Sequence, residues 1–203
     1  MTNANTTEEL DVLVVGAGFA GLYQLHKLRK QGYRVHVLES APGLGGVWYW
    51  NCYPGARVDT WGPMYQFSDE ELWQDWDFSE LYPDWSEVRA YFQHVDDKLE
   101  LSKDISFNTH VTAARFDEDL RQWRVEARDG STGATRRVLA RWVVLCTGFG
   151  SKPYTPALPG LDTFEGEAHH TARWPQHGVE LAVVEPKASA LDRGKDIALE
   201  DRA

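Results

Sequence analysis

The apolar positions fall into an order that changes period several times along the chain. Residues 10–15, Leu-Asp-Val-Leu-Val-Val, form a short β-branched run, which predicts a buried parallel strand. Residues 17–31 then space Leu22, Leu25 and Leu28 as a helix face, and Gly32 stops the pattern. Residues 34–39, Arg-Val-His-Val-Leu-Glu, read as a second strand. Residues 41–62 are rich in Gly and Trp and show no period. The segment 69–87 carries eight acidic residues and no basic one, and is expected as a solvated surface with a few buried anchors. Residues 86–101 regain helical spacing through Val88, Tyr91, Phe92, Val95 and Leu99. Short strands are expected at 105–111, 111–116, 123–127 and 136–139, with Asp129-Gly130-Ser131-Thr132-Gly133 as a hairpin turn. Residues 141–146 form one more apolar strand, and Pro153, Pro156 and Pro159 mark an irregular connection.

The first loop carries the chemistry. Gly16-Ala17-Gly18-Phe19-Ala20-Gly21 follows a strand and opens a helix, the context a dinucleotide fingerprint requires. Gly16 permits the tight turn, Gly18 lets backbone approach a pyrophosphate, and Gly21 lets helix and strand pack closely. The pyrophosphate would rest on the unpaired N–H groups at the positive end of the helix, with Phe19 and Ala20 in its first turn. Glu39 ends the second strand, eighteen residues beyond Gly21. A carboxylate there accepts from ribose hydroxyls and repels a 2′-phosphate, which favours FAD or NAD over NADP at this loop. Gly45-Gly46 then offers a second close backbone approach. Val47-Trp48-Tyr49-Trp50 follows as flat apolar surface for an isoalloxazine ring, so FAD is preferred. Cys52 stands alone, without the partner a redox disulfide would need.

Composition narrows the class further. The net charge of −10 and pI near 5.1 argue against nucleic acid, whose phosphates select basic faces. The first ten residues are polar and acidic, without the apolar core of a signal peptide, and no run reaches bilayer-spanning length. Cys52 and Cys146, far apart, are expected as reduced thiols of a cytoplasmic protein with no membrane partner.

Two segments carry a family resemblance. Residues 45–59, from Gly45-Gly46-Val47-Trp48 to Gly55-Ala56-Arg57-Val58-Asp59, resemble the corresponding stretch of Baeyer–Villiger monooxygenases. Residues 164–175 match that family's pattern F-x-G-x-x-x-H-x-x-x-W-P at Phe164, Gly166, His170, Trp174 and Pro175. The resemblance covers residues 8–178. It implies an enzyme that binds FAD and uses NADPH and dioxygen to insert oxygen beside a ketone carbonyl, giving an ester or lactone. Its small-molecule partners would be a ketone and O2. It implies cofactor contacts from Gly46, Val47, Trp48, Asp59, Tyr65 and Val111. It also implies a catalytic part for Asp59, which would hold a charge-stabilising arginine of the NADPH domain; a plain turn or capping carboxylate is the other reading. Arg57 would contact NADP or make a structural ion pair. His170 reads as an organiser of the interdomain connection, and no metal site is expected from His169, His170 and His177. Cys52 departs from the family, which carries arginine there.

The expected architecture is α/β, a doubly wound Rossmann-like FAD-binding domain with a small antiparallel β hairpin or meander insertion and an incomplete second domain. Residues 1–150 would be the FAD domain and 151–178 the interdomain connection. Residues 179–203 would be an atypical, disordered tail left by truncation, since they cannot form a second βαβ unit. A related N- or S-oxygenating flavoprotein, or a catalytically incompetent FAD-binding fragment, stays open beside the Baeyer–Villiger reading.

Overall fold

The computed structural model describes residues 8–180. Strand β1 (Glu8–Val15) leads through the glycine loop into helix α1 (Phe19–Lys30), which returns to strand β2 (Val35–Leu38). β2 pairs parallel to β1, with Val12 opposite Val35 and Val15 opposite Leu38. This is the expected β-α-β unit, except that the helix starts two residues late. Ala17 lies outside the helix, and Gly18 is an extended N-cap (φ −85°, ψ −166°). The glycine turn needs those two residues before helical backbone can begin.

Two helical turns, α2 (Val47–Trp50) and α3 (Glu70–Trp73), precede helix α4 (Trp85–Leu99). Asp84 fixes the start of α4, its carboxylate accepting the N–H groups of Ser86 and Glu87 at 2.9 and 3.0 Å. The buried face of α4 is Val88, Tyr91, Phe92 and Val95, as the period predicts. With Leu22 and Leu25 of α1 and Val12, Val14, Val35 and Val37 of the strands, these residues form the main core.

The later strands differ from the expectation in an informative way. The run expected at 105–111 is broken into β3 (Ile105–Ser106) and β4 (Thr109–Asp117), because Asn108 adopts left-handed backbone (φ 51°). The runs expected at 136–139 and 141–146 are one strand, β6 (Thr135–Leu145). Its first half pairs antiparallel to β5 (Gln122–Asp129), and from Val138 onward it pairs parallel to β1. The six strands therefore form one sheet, ordered β3-β2-β1-β6-β5-β4.

β3 and β4 lie at opposite edges of this sheet, yet only Phe107 and Asn108 separate them in sequence. Three virtual bonds reach about 11 Å at most, so the sheet must curl until its edges meet. Thr109 N–H indeed donates to the Glu39 carbonyl, just past β2, at 2.7 Å. The curl places Val125, Ala127, Val138 and Ala140 against Leu10, Leu13 and Leu38 in a second core, with Val111 packed on it. Helices α1 and α4 thus cover one face of the Rossmann-like sheet, and the antiparallel meander covers the other.

Candidate functional site

The glycine loop sits where β1, β2 and β6 end together. Gly16 N–H donates to the Leu38 carbonyl at 2.9 Å, and Cys146 N–H donates to Val15 at 2.8 Å. Gly16 has φ +103°, and a Cβ on it would lie 2.5 Å from the Cys146 carbonyl oxygen. A Cβ on Gly21 would overlap the Gly16 carbonyl oxygen, so α1 can approach the loop only with glycine there. The first intrahelical bond runs from Leu22 N–H to Gly18. The first-turn donors of Phe19, Ala20 and Gly21 precede it and have no carbonyl four residues back within the helix. That turn contains no acidic residue, while Lys27, Arg29 and Lys30 fill the last turn. The N-terminal end of α1 is therefore left as an uncompensated positive pole.

The second glycine pair closes on the first. Gly45 N–H donates to the Ala17 carbonyl at 3.1 Å, and a Cβ on Gly46 would lie 3.1 Å from the Gly18 Cα. The two loops meet backbone to backbone, leaving a side-chain-free cradle above the helix end. A pyrophosphate requires such a surface, and the cradle fits a dinucleotide.

Glu39 has a role that the sequence reading missed. It is buried, and its two carboxylate oxygens accept the N–H of Ala17 at 2.5 Å and of Ala41 at 2.6 Å. Glu39 thus ties the glycine loop to the segment after β2; Oε1 also accepts the Ser40 hydroxyl at 3.2 Å, and Oε2 keeps a further lone pair. Only the ribose contact had been anticipated; nothing in the local pattern marks a carboxylate that braces backbone.

The aromatic run is not one flat surface. As a helical turn, α2 sends its side chains in different directions. Trp48 is half-buried, edge-on to Tyr65 at 5.7 Å, and Tyr65 meets Phe19 at 5.7 Å. Val47 and Trp50 face solvent. Tyr49 lies against Gly43 and beneath the Arg89 guanidinium, 4.9 Å from its ring centroid. Of the expected contacts, Phe19, Trp48 and Tyr65 converge beside Gly18 and Gly46, whereas Val111 sits two residues past Thr109 in the second core.

Asp59 is exposed and has no hydrogen bond or ion pair from its side chain among the described residues, so it caps no turn. Arg57 does make the structural ion pair, with Glu80, and donates to the Tyr82 carbonyl at 3.0 Å. Acidic residues of the 69–87 segment are largely engaged. Asp69 accepts Lys27 through both oxygens, at 2.6 and 2.8 Å, and bonds His26 at 2.7 Å. The Lys27 ammonium beside it holds the Asp69 carboxyl below its usual 3.8. The segment's anchors are Leu72, Trp76 and Phe78, while Trp73 stays exposed. Among the described residues, the one group with metal-like ligand spacing is His26, Asp69 and Glu71, and Lys27 already supplies its cation. The histidines of the connection are not gathered into such a group.

His170 ties the connection to itself. Its Nδ1 accepts Ala172 N–H at 3.0 Å, which leaves the proton on Nε2 to donate to the Tyr154 carbonyl at 3.0 Å. A Cβ on Gly166 would strike the Phe164 ring. Trp174 is half-buried against His169 and Tyr53, with centroids 5.4 and 6.5 Å away. Cys52 is buried beneath this end of the connection, next to the Trp174 and Pro175 carbonyls. Burial pushes the other thiol, Cys146, upward in pKa.

Comparison with known proteins agrees with this geometry. The profile of the NAD(P)-binding Rossmann-like domain matches residues 14–78. Cyclopentanone 1,2-monooxygenase of Comamonas sp. (strain NCIMB 9872) is 52% identical over 180 residues, 89% of this chain and 32% of the relative. Acetone monooxygenase (methyl acetate-forming) of Gordonia sp. (strain TY-5) is 42% identical over 178 residues, 87% of this chain and 32% of the relative. The second name states a ketone turned into an ester, which is Baeyer–Villiger chemistry. Over the third of their length that it matches, this chain is similar to Baeyer–Villiger monooxygenases. Among solved structures, an oxidized steroid monooxygenase bound to NADP superposes with a TM-score of 0.77 at 48% identity, over 84% of this chain and 32% of that one. The chain spans about a third of the length of the Baeyer–Villiger relatives it matches. Residues 181–203, with most of the expected tail, lie outside the described residues, and no helix among those described is long and apolar enough to cross a membrane.

Proposed function

We propose that this chain forms the FAD-holding part of an enzyme that inserts one oxygen atom of O2 beside a ketone carbonyl, with NADPH as reductant. The facing of Gly18 and Gly46 over the N-terminal end of α1 carries this reading, because it leaves room for a pyrophosphate against unpaired N–H groups. FAD supplies the hydride acceptor and the oxygen-activating ring when bound. The backbone donors of Phe19, Ala20 and Gly21 hold the pyrophosphate. Glu39 offers the remaining lone pair of Oε2 to a ribose hydroxyl, and its charge disfavours a 2′-phosphate at this loop. Trp48 and Tyr65 shield the flavin side of the cradle from water. Asp59, exposed and without a partner among the described residues, would receive a cation from outside them and hold it beside the reacting carbonyl. Residues 151–178 act as the connection, with His170 fixing its course.

A chimera tests this most cleanly. This chain replaces the matching third of the Comamonas cyclopentanone 1,2-monooxygenase, and the product is incubated with NADPH, O2 and cyclopentanone. The expected result is a lactone one oxygen heavier than the ketone, lost on Asp59→Ala with FAD retained. A chimera that holds FAD and oxidises NADPH to NADP+ with all of the consumed O2 released as hydrogen peroxide, and with Asp59→Ala unchanged, contradicts the proposal.

A further inference from the structure

One side chain fastens the end of the connection to the helical turn that carries Gly46. Gln176 donates through Nε2 to the Tyr49 carbonyl at 2.9 Å, with Cys52 Sγ 3.3 Å away. Its Oε1 accepts from Arg89 Nη1 at 3.1 Å. Arg89 is held in turn by the rings of Tyr49 and Trp85, 4.9 and 5.3 Å from its guanidinium. The Tyr49 carbonyl belongs to the last turn of α2, where a helix leaves its carbonyls unpaired. Gln176 satisfies it. The family pattern ends one residue earlier, at Pro175.

The four residues of α2 therefore join two sites. At one end Gly46 faces Gly18 in the cofactor cradle, and at the other Tyr49 receives Gln176. A single helical turn is about 6 Å long and moves as a unit, so a shift of Gly46 on cofactor entry is felt at the Tyr49 carbonyl. We propose that Gln176 is a positioning residue that couples occupancy of the glycine cradle to the docking of residues 164–175. The coupling rests on the FAD reading above, and it fails separately from it. If Trp174 packing alone holds the connection, Gln176 is dispensable.

Cys52, buried beneath Trp174 and Pro175, reports the docking. The complete 203-residue chain is treated with a thiol reagent with and without FAD, and Cys52 is resolved from Cys146 by peptide mass. FAD affinity is measured in parallel by flavin fluorescence. In the unaltered chain FAD slows Cys52 labelling by about tenfold, since labelling requires local opening of the connection. Gln176→Leu labels faster and loses the FAD dependence, with FAD affinity within about threefold of the original. Gln176→Glu keeps the Arg89 contact, lacks the donor to Tyr49, and behaves like Gln176→Leu; it decides the matter if the leucine variant does not fold. Undiminished FAD dependence in the variants overturns the proposal, as does FAD binding to the unaltered chain without any slowing. Absence of FAD binding overturns the cofactor reading and this coupling with it.

Discussion

Gly46 stands face to face with Gly18, so that a Cβ on Gly46 would lie 3.1 Å from the Gly18 Cα, while a Cβ on Gly18 would find its nearest neighbour, the Gly46 Cα, at 3.6 Å. The asymmetry separates two effects of the same substitution. Gly18→Ala meets only ordinary contacts and has φ −85°, so stability should change by less than about 1 kcal/mol. FAD affinity should nonetheless fall at least tenfold, because the methyl group occupies the pyrophosphate's approach. Gly46→Ala carries left-handed backbone (φ 57°) as well as the tight contact, and should lose about 1–2 kcal/mol of stability in addition. Urea unfolding of both apo-variants, beside flavin titration, checks the split.

Glu39 is braced by two backbone donors, which predicts a structural cost even without cofactor. Glu39→Gln can accept only one of them and turns an NH2 toward the other. The apo-protein should lose about 1–3 kcal/mol, the cost of a buried donor left unpaired. FAD binding should weaken by a further 10- to 100-fold, for a charged hydrogen bond worth roughly 1.5–3 kcal/mol. Unchanged apo stability would show that the brace contributes nothing.

Asp69 binds Lys27 and His26 across more than forty residues of chain, which ties α1 to the acidic segment. Its folded pKa lies below 3.8, chiefly through the Lys27 hydrogen bonds. The unfolded chain thus takes up the proton first. The stabilisation is complete well above 3.8 and is lost as pH falls through that value toward the depressed folded pKa. Asp69→Asn should lower the melting temperature at neutral pH, and the gap from the unaltered chain should close on acidification. A gap independent of pH would mean that packing, not charge, makes the link.

Exposed apolar side chains predict where the folded chain associates. Met64, Leu145, Phe149, Tyr154 and Phe164 are each well over half exposed, whereas Trp48 and Trp174 are half-buried. Replacing Met64 and Phe149 together by Ser should reduce self-association and dye binding in light scattering and fluorescence. The same change at Trp48 should instead destabilise the core it packs against.

What could be read along the chain was local. The strand, glycine loop, helix and second strand each carry their own period, and the fingerprint from Phe164 to Pro175 has fixed spacing. The curl that brings β3 to β4 was hidden, because it follows from pairings between Thr109 and Glu39 or Val138 and Glu8 that no window contains. The breadth of β6 was hidden for the same reason, since its two halves have different partners. The helical turn at Val47–Trp50 is too short to announce itself by period, so its aromatics read as one surface when they point several ways. Gln176 lies one residue beyond the recognised pattern, and its partners Tyr49 and Arg89 come from two other segments.

The central claim is that the cradle formed by Gly18, Gly46 and the first turn of α1 holds the pyrophosphate of FAD. Competitive titration of the 203-residue chain with FAD, FMN and NADPH tests it most directly. FMN lacks the pyrophosphate and the adenosine, and NADPH carries the 2′-phosphate that Glu39 repels. The account predicts FAD binding tighter than either competitor by at least tenfold, about 1.4 kcal/mol, with the preference over FMN abolished by Gly18→Ala. Equal affinity for FAD and FMN, or a preference untouched by Gly18→Ala, would contradict it.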